Sequence, residues 1–305
     1  MTVSASPASI DALVAGLVDY AGLFPPAGLD MATAVRNYAA YLADPDRRML
    51  GRFIVPAARL EEWESVFPVP PRGLTPPCWR LSALVGPDVA GDSSRIAEFN
   101  RRHRPGRGTG WGSIETIEVP VDSPATLRAA LAARPDDVAV FAELPPAGDP
   151  TSLIAEIAHA GGRAKIRTGG LTPQSIPPAA DVVHFLRACA RAAVPFKATA
   201  GLHHPVRAEY RLTYEADSPS AVMHGFLNLF VAATFVRIGL PAADAIAILE
   251  ETDPVAFRFD ADNVTWRTRQ APTAALRATR ANFGLSFGSC SFREPVDELR
   301  ALQLI

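Results

Sequence analysis

The stretch V-A-V-F-A-E-L-P-P-A-G-D-P-T-S-L-I-A-E-I-A-H-A-G-G-R-A-K-I-R-T, residues 138–168, carries the pattern that decides the fold. It begins and ends with short apolar runs typical of buried strands, and the residues between them have the apolar spacing of a helix. Two strands joined by a helix in this way predict neighbouring parallel strands in one sheet.

The same alternation of strand-like and helix-like runs continues on both sides of this stretch. Strands are predicted at residues 52–56, 80–85, 114–120, 138–145, 164–168 and 195–200. Their starts lie roughly 25 to 34 residues apart, which matches the repeat of a (β/α)8 barrel. We therefore predict an α/β fold, a TIM-like (β/α)8 barrel in a single domain over residues 1–305. A doubly wound sheet is the competing arrangement. The last two strands are assigned to residues 257–267, a hairpin, and 285–292.

The remaining segments are predicted to elaborate this barrel. Two amphipathic segments, residues 10–20 and 31–42, indicate an N-terminal helical extension over residues 1–50. A helical insertion is predicted over residues 205–255, before the last strands, and it includes a helix at residues 242–250. This insertion would cover the barrel mouth or contact another subunit.

One segment of the insertion is apolar enough to be compared with a membrane span. Residues 218–236 contain no aspartate, glutamate, lysine or arginine and have about the length of a short span. We predict a buried or interface helix instead, with Ser218 and the following proline as its cap and Gly239 as its end. His224 and Asn228 interrupt its apolar surface.

Composition limits the classes of function. The formal net charge is -2 and the charges are scattered, so we expect no nucleic acid and no membrane surface as partner, but a small-molecule substrate. Cys78, Cys189 and Cys290 are odd in number and form no C-x-x-C pair, which argues against a disulfide framework. With a start that lacks the pattern of a secretory signal, this favours a cytoplasmic protein, and we expect a homo-oligomer.

Lysine is rare in this chain, and its two positions point to a site. Of the 30 basic residues only Lys165 and Lys197 are lysines, and both lie in predicted neighbouring strands. In a barrel, function collects at the carboxyl ends of strands, and four predicted strands carry polar residues near those ends. They place polar side chains at Glu118, Glu143, Lys165, Arg167, Lys197 and Thr199. Because side chains alternate along a strand, Lys165 and Arg167 share one face of their strand, and Lys197 and Thr199 share one face of theirs.

Two alternatives follow for the lysines. Two ammonium groups about 6 Å apart repel by about 3 kcal/mol, or about two pKa units, which would leave one amine neutral and suited to Schiff-base catalysis. Alternatively, Glu118 and Glu143 each pair with one lysine and keep both charged, which leaves Arg167 to bind a substrate carboxylate or phosphate.

The segment F-K-A-T-A-G, residues 196–201, resembles the sixth-strand V-K-T-S-T-G segment of the deoxyribose-phosphate aldolase group of class I aldolases. In that family the strand lysine forms the Schiff base and a lysine on a neighbouring strand tunes it. The resemblance covers about six residues, and here the second lysine comes on the preceding strand. It implies a carbon-carbon lyase acting on a small carbonyl or carboxylate metabolite, with Lys197 as nucleophile and Lys165 lowering its pKa. No cofactor is then needed.

Histidines supply the alternative chemistry. His204 near Lys197 is a candidate general acid or base, together with Glu118 and Glu143, and His203 a substrate-binding residue. Alternatively, His203, His204 and Cys290 are candidate ligands of a divalent metal such as zinc in a lyase, isomerase or hydrolase.

His224 and Asn228, four residues apart, would share a helix face and line a substrate pocket, or else satisfy buried backbone. A third interpretation is a barrel without catalysis that binds a metabolite or supports an assembly.

Overall fold

Short, mostly buried strands form the centre of the molecule. The computed structural model describes residues 6–68, 78–106, 108–145 and 148–305. In chain order the strands are β1 (Val18–Tyr20), β2 (Leu50–Pro56), β3 (Trp79–Leu84), β4 (Gly112–Pro120), β5 (Ala139–Glu143), β6 (Arg163–Arg167), β7 (Phe196–Thr199), β8 (Ala208–Arg211), β9 (Ser220–Met223), β10 (Phe257–Phe259), β11 (Asn263–Trp266), β12 (Arg269–Pro272) and β13 (Gly284–Ser289).

Helices alternate with most of these strands. They are α1 (Ala8–Val14), α2 (Met31–Leu42), α3 (Leu60–Val66), α4 (Val89–His103), α5 (Pro124–Ala133), α6 (Thr151–His159), α7 (Ala179–Arg191), α8 (Phe226–Arg237), α9 (Ala242–Glu250), α10 (Thr273–Asn282) and α11 (Arg293–Ala301). Local sequence sets several starts: Asp30 caps α2 by accepting from Thr33 N at 2.8 Å, and Ser123 caps α5 with proline in its first turn.

The predicted TIM-like barrel is confirmed. Within the described residues eight strands close in the order β1-β13-β7-β6-β5-β4-β3-β2, and every neighbouring pair is parallel. Closure removes the sheet edges, and the helices between consecutive strands cover the outside of the barrel. The six strands predicted between residues 52 and 200 all lie in the barrel.

Two sequence assignments at the ends of the chain are wrong. Residues 10–20 are not one helical segment, because α1 ends at Val14 and Val18–Tyr20 forms the first barrel strand between β13 and β2. The hairpin predicted at residues 257–267 does form, but β10 and β11 join β12 in a separate antiparallel sheet. As a consequence, Lys165 lies on the sixth barrel strand and Lys197 on the seventh.

The apolar helix begins later than predicted. Residues 220–223 form β9, which pairs with β8, and α8 starts only after Gly225. Its end near Gly239 is confirmed, since this glycine has a φ of +95°. Phe226 to Val236 are all buried because α7, α9, α10 and β13 pack around α8 within the same chain. The face expected to make a subunit contact is therefore covered.

No helix in the described ranges combines the length and the apolar character that crossing a membrane requires.

Candidate active site

A cavity of 420 Å³ opens at the carboxyl ends of the barrel strands. Its polar floor includes Glu118, Lys165, Arg167 and Thr199, all predicted from the sequence. Its walls are mostly apolar and come from the loop after β1 and from the segments between β6 and α8, namely Phe24, Pro25, Pro26, Leu171, Leu212 and Met223. An apolar pocket with a few convergent polar groups is the usual form of a small-molecule site.

An alternating chain of charges runs through the barrel beneath this cavity. Successive oppositely charged atoms lie 2.6 to 2.8 Å apart, in the order Asp19, Lys197, Glu118, Lys165, Glu143 and Arg167. The chain contains three carboxylates and three cations, so its formal charge is zero. Such balance offsets much of the cost of burying charges in the low dielectric of the interior.

Lys197 lies below the cavity and does not face it. Its side chain is fully buried, and Nζ donates to Asp19 Oδ2 at 2.6 Å and to Glu118 Oε1 at 2.7 Å. Burial alone would lower the pKa of Lys197, but the Asp19 and Glu118 carboxylates hold it above its ordinary value. This favours a charged Lys197 over the neutral amine that the Schiff-base hypothesis for this position requires.

Lys165 borders the cavity, although only 2% of the residue is exposed. Its Nζ lies 2.7 Å from Glu118 Oε2 and 2.7 Å from Glu143 Oε2. Arg167 donates hydrogen bonds from Nε and Nη2 to the other oxygen of Glu143, Oε1, at 3.0 and 2.8 Å. The arrangement is the second of the two alternatives considered from the sequence: the glutamates pair with the lysines.

The three carboxylates of the charge chain stay ionised. Burial raises the pKa of each carboxyl, but nearby cations outweigh it: Lys165 and Lys197 lower the pKa of Glu118, and Lys165 and Arg167 that of Glu143. Lys197 and Arg52 likewise keep the pKa of Asp19 below its ordinary value.

Hydroxyl groups fix the carboxylates from the far side. Ser82 Oγ donates to Glu118 Oε1 at 2.7 Å and itself accepts from Thr116 Oγ1 at 2.8 Å. Ser286 Oγ donates to Asp19 Oδ2 at 2.8 Å. Because every one of these groups is buried, the geometry of the charge chain is set before any ligand enters.

The loops after β6 and β7 touch each other at the cavity. A Cβ atom on Gly169 would lie 2.7 Å from the Cα of Gly201, so only glycine permits this approach. Thr168 Oγ1 donates to Ala200 O at 2.7 Å and closes the same junction. The sequences T-G-G and T-A-G that follow the two lysine strands therefore form one continuous part of the cavity wall.

The adjacent histidines point to different partners. His203 borders the cavity and its Nδ1 lies 2.8 Å from Glu294 Oε2. His204 Nδ1 lies 2.6 Å from Glu298 Oε1, and its ring stacks on Tyr210 at 3.5 Å between centroids. No group of three or more His, Cys, Asp or Glu side chains in the described part of the chain is arranged to hold a metal ion.

His224 and Asn228 hydrogen-bond to backbone and do not share a helix face, since His224 precedes α8. His224 Nε2 lies 2.8 Å from Pro177 O. Asn228 Nδ2 donates to Ile248 O and Glu251 O, both at 2.8 Å, and its Oδ1 accepts from Arg207 N. Neither residue borders the cavity.

Sequence reasoning missed two groups of residues at this site. Asp19 was missed because V-D-Y is too short a run to show alternation, although an aspartate between apolar residues near a strand end was a usable signal. The turn at residues 20–27 was considered only as a packing element, yet Phe24, Pro25 and Pro26 line the cavity.

Comparison with known proteins adds no relative: neither a scan against protein-family models nor a search of curated proteins found a match to this chain.

Proposed function

We propose that the protein is an enzyme that acts on a small carbonyl compound carrying an anionic group, with Lys165 as its Schiff-base amine. The observation that carries this proposal is the position of the two lysines. Lys165 borders the cavity between two carboxylates, whereas Lys197 is fully enclosed below it. Of the two lysines, only Lys165 can be approached by a carbonyl carbon in the cavity.

The surroundings of Lys165 support proton transfer at its amine. To attack a carbonyl carbon, the ammonium must first lose a proton, and a carboxylate 2.7 Å away is within reach to accept it. Glu143 is the better acceptor because its side chain is 17% exposed, compared with 1% for Glu118. Glu143 can then return the proton to the carbinolamine oxygen, which leaves as water.

The other polar groups suit an anionic substrate. Arg167 borders the cavity, and its side chain is 43% exposed while it holds Glu143. A carboxylate or phosphate placed beside it gains a charge-assisted contact. Lys197 acts through Glu118, which it holds in place for Lys165, and is therefore a positioning residue.

The roles of the two lysines are thus exchanged relative to the sequence hypothesis. The resemblance to class I aldolases concerns a lysine on the sixth strand, tuned by a second lysine on a neighbouring strand. In this barrel the sixth strand carries Lys165 and the seventh carries Lys197. Carbon-carbon lyase chemistry is the reaction type that this pairing favours.

Borohydride trapping tests the proposal directly. The protein is incubated with short aldehydes and 2-keto acids, with and without a phosphate group, then reduced and cleaved after arginine. The two lysines fall in separate peptides, residues 164–167 and 192–207. A reduced adduct on the first peptide supports the proposal, and an adduct on the second would reverse the roles of the lysines.

Absence of an adduct with every compound would overturn the Schiff-base function. Lys165→Met should abolish trapping, while Arg95→Met, which removes an exposed cation paired with Asp92, serves as the matched control and should not.

A further inference from the structure

A second cluster of reactive groups meets at the wall of the same cavity. Cys290 directly follows β13, His203 lies in the loop after β7, and Glu294 lies in the first turn of α11. Cys290 and His203 both border the cavity. Three separate elements thus bring a thiol, an imidazole and a carboxylate together where a ligand would lie.

The order of contacts is that of a nucleophile, a base and an orienting group. His203 Nε2 lies 4.0 Å from Cys290 Sγ, and His203 Nδ1 lies 2.8 Å from Glu294 Oε2. Because a carboxylate only accepts hydrogen bonds, Nδ1 carries a proton and Nε2 faces the thiol. The backbone of Glu294 is fixed in turn, because its N–H donates to Ser291 Oγ.

A further side chain contacts the thiol. The hydroxyl of Tyr214 lies 3.4 Å from Cys290 Sγ, and burial together with Cys290 raises the pKa of this phenol, which keeps its proton. Burial alone would lower the pKa of His203, but Cys290 and Glu294 raise it to about 10. The imidazole and the phenol therefore place two hydrogen-bonding groups beside Sγ, at the side of the cavity.

We propose that Cys290 is a second nucleophile of the cavity, activated by His203 and oriented by Glu294, which adds to the electrophilic carbon of a small carbonyl compound. The thiolate sulfur forms a bond to the carbonyl carbon while the π electron pair of the C=O bond moves to oxygen. His203 gives its Nε2 proton to that oxygen, which yields a thiohemiacetal without any oxidant or further reactant. Only the choice of a carbonyl electrophile rests on the proposed function.

Alkylation kinetics test the activated thiol on the intact protein. Iodoacetamide is applied at about pH 6, and the modification of each cysteine is followed by peptide mapping. Cys290 is only 6% exposed, whereas Cys78 is partly exposed. We nevertheless expect Cys290 to react at least about tenfold faster than Cys78. Cys189, which is fully buried, should stay unmodified.

Variants separate activation from a structural role. His203→Ala should reduce the rate at Cys290 to that of Cys78, whereas His204→Ala, which removes the neighbouring ring and its own carboxylate contact, should leave it unchanged. If the first variant does not fold, Glu294→Gln and the pH profile of the wild type decide. Equal rates at Cys290 and Cys78 at about pH 6, rising together toward alkaline pH, would overturn the proposal.

The titratable groups around Sγ are His203, Tyr214, Glu294 and Tyr20. Tyr214→Phe should retain most of the rate at Cys290, because the imidazolium contact remains.

Addition to a carbonyl has its own readout. Adding an aldehyde or 2-keto acid should reduce the ultraviolet absorbance of the thiolate in the wild type and in Lys165→Met, but not in Cys290→Ser. Fast alkylation without any such loss would overturn the addition step. If borohydride trapping gives no lysine adduct but Cys290 reacts fast and adds to the carbonyl compound, the Schiff-base function is overturned and the role of Cys290 is supported.

Discussion

Lys165 and Lys197 stand opposite each other in register on β6 and β7, and the two oxygens of one carboxylate, Glu118, separate their ammonium groups. Equivalent positions on neighbouring strands would force two like charges together. The bridging carboxylate attracts both ammonium groups in place of that repulsion. Each lysine has a second carboxylate partner, which is Glu143 for Lys165 and Asp19 for Lys197. The barrel thus keeps both cations in its interior.

Removal of Lys197 should destabilise the fold strongly. Lys197→Met leaves the carboxylates of Asp19 and Glu118 buried without their shared cation, which costs about 3–5 kcal/mol in the free energy of unfolding. Urea denaturation measures the loss. Arg101→Met is the control, because its pair with Glu98 is exposed, and a loss of stability as large as that of Lys197→Met would speak against the comparison.

Stability should fall in acid. The pKa values of Asp19, Glu118 and Glu143 are held below their ordinary values of 3.8 and 4.5. Groups with a depressed folded pKa contribute stability above their unfolded pKa, and this stability is lost as pH falls through the folded pKa. Urea midpoints should therefore be level between about pH 5 and pH 6 and drop below about pH 4.

Stability should also fall in strong alkali. The pKa of Lys197 is raised above its ordinary value of 10.5, so its contribution is complete below that pH and is lost as pH rises through the folded pKa. His203, whose pKa is raised from 6.5 to about 10, loses its own contribution from near neutral pH onward, so the contribution of Lys197 is the further decline above about pH 10.5, and its absence in Lys197→Met is the check. The same urea series, extended to alkaline pH, provides the measurement.

Gly169→Ala should disturb the cavity wall. The new methyl group would meet Gly201 Cα at 2.7 Å, so the loops after β6 and β7 must separate. We expect a loss of about 1–3 kcal/mol in stability and weaker trapping at Lys165. Gly86→Ala is the matched control, since its Cβ would meet Asp92 Oδ2 at 3.4 Å, an ordinary contact distance, and its trapping should match the wild type.

Asn228→Leu separates a structural from a substrate-binding role for this residue. The variant leaves the carbonyls of Ile248 and Glu251 and the amide of Arg207 without their partner, at about 1–3 kcal/mol for each group that stays buried. Below the melting temperature of the variant, borohydride trapping should equal that of the wild type. Loss of trapping in the folded variant would instead restore the sequence hypothesis that Asn228 binds substrate.

Much of the architecture could be predicted because a βα repeat leaves a periodic trace in the sequence. The strands that carry Glu118, Glu143 and Lys165 are long enough to show apolar runs, and their polar ends follow from alternation. The strand that carries Asp19 could not be predicted in this way, since three buried residues contain no period. Missing it shifted the count of all later strands by one.

The details of the site depended on distances that sequence does not encode. Both lysines looked equivalent by position and are in fact paired in register, and only the three-dimensional placement of their side chains shows that Lys165 borders the cavity while Lys197 does not. Likewise, Cys290 and His203 are 87 residues apart and meet through the closure of the barrel. No local pattern predicts that contact, because it depends on where β7 and β13 place the loops that follow them.

Because both lysines are buried in barrel strands, a lysine-specific endoprotease finds no accessible bond in the folded chain. Every cut it makes must follow an opening of β6 or β7, while fraying of surface loops stays invisible to it. The rate of cleavage by this protease thus reports the opening of the barrel selectively. A ligand that bridges the two strands should lower the cleavage rate as its occupancy of the cavity rises.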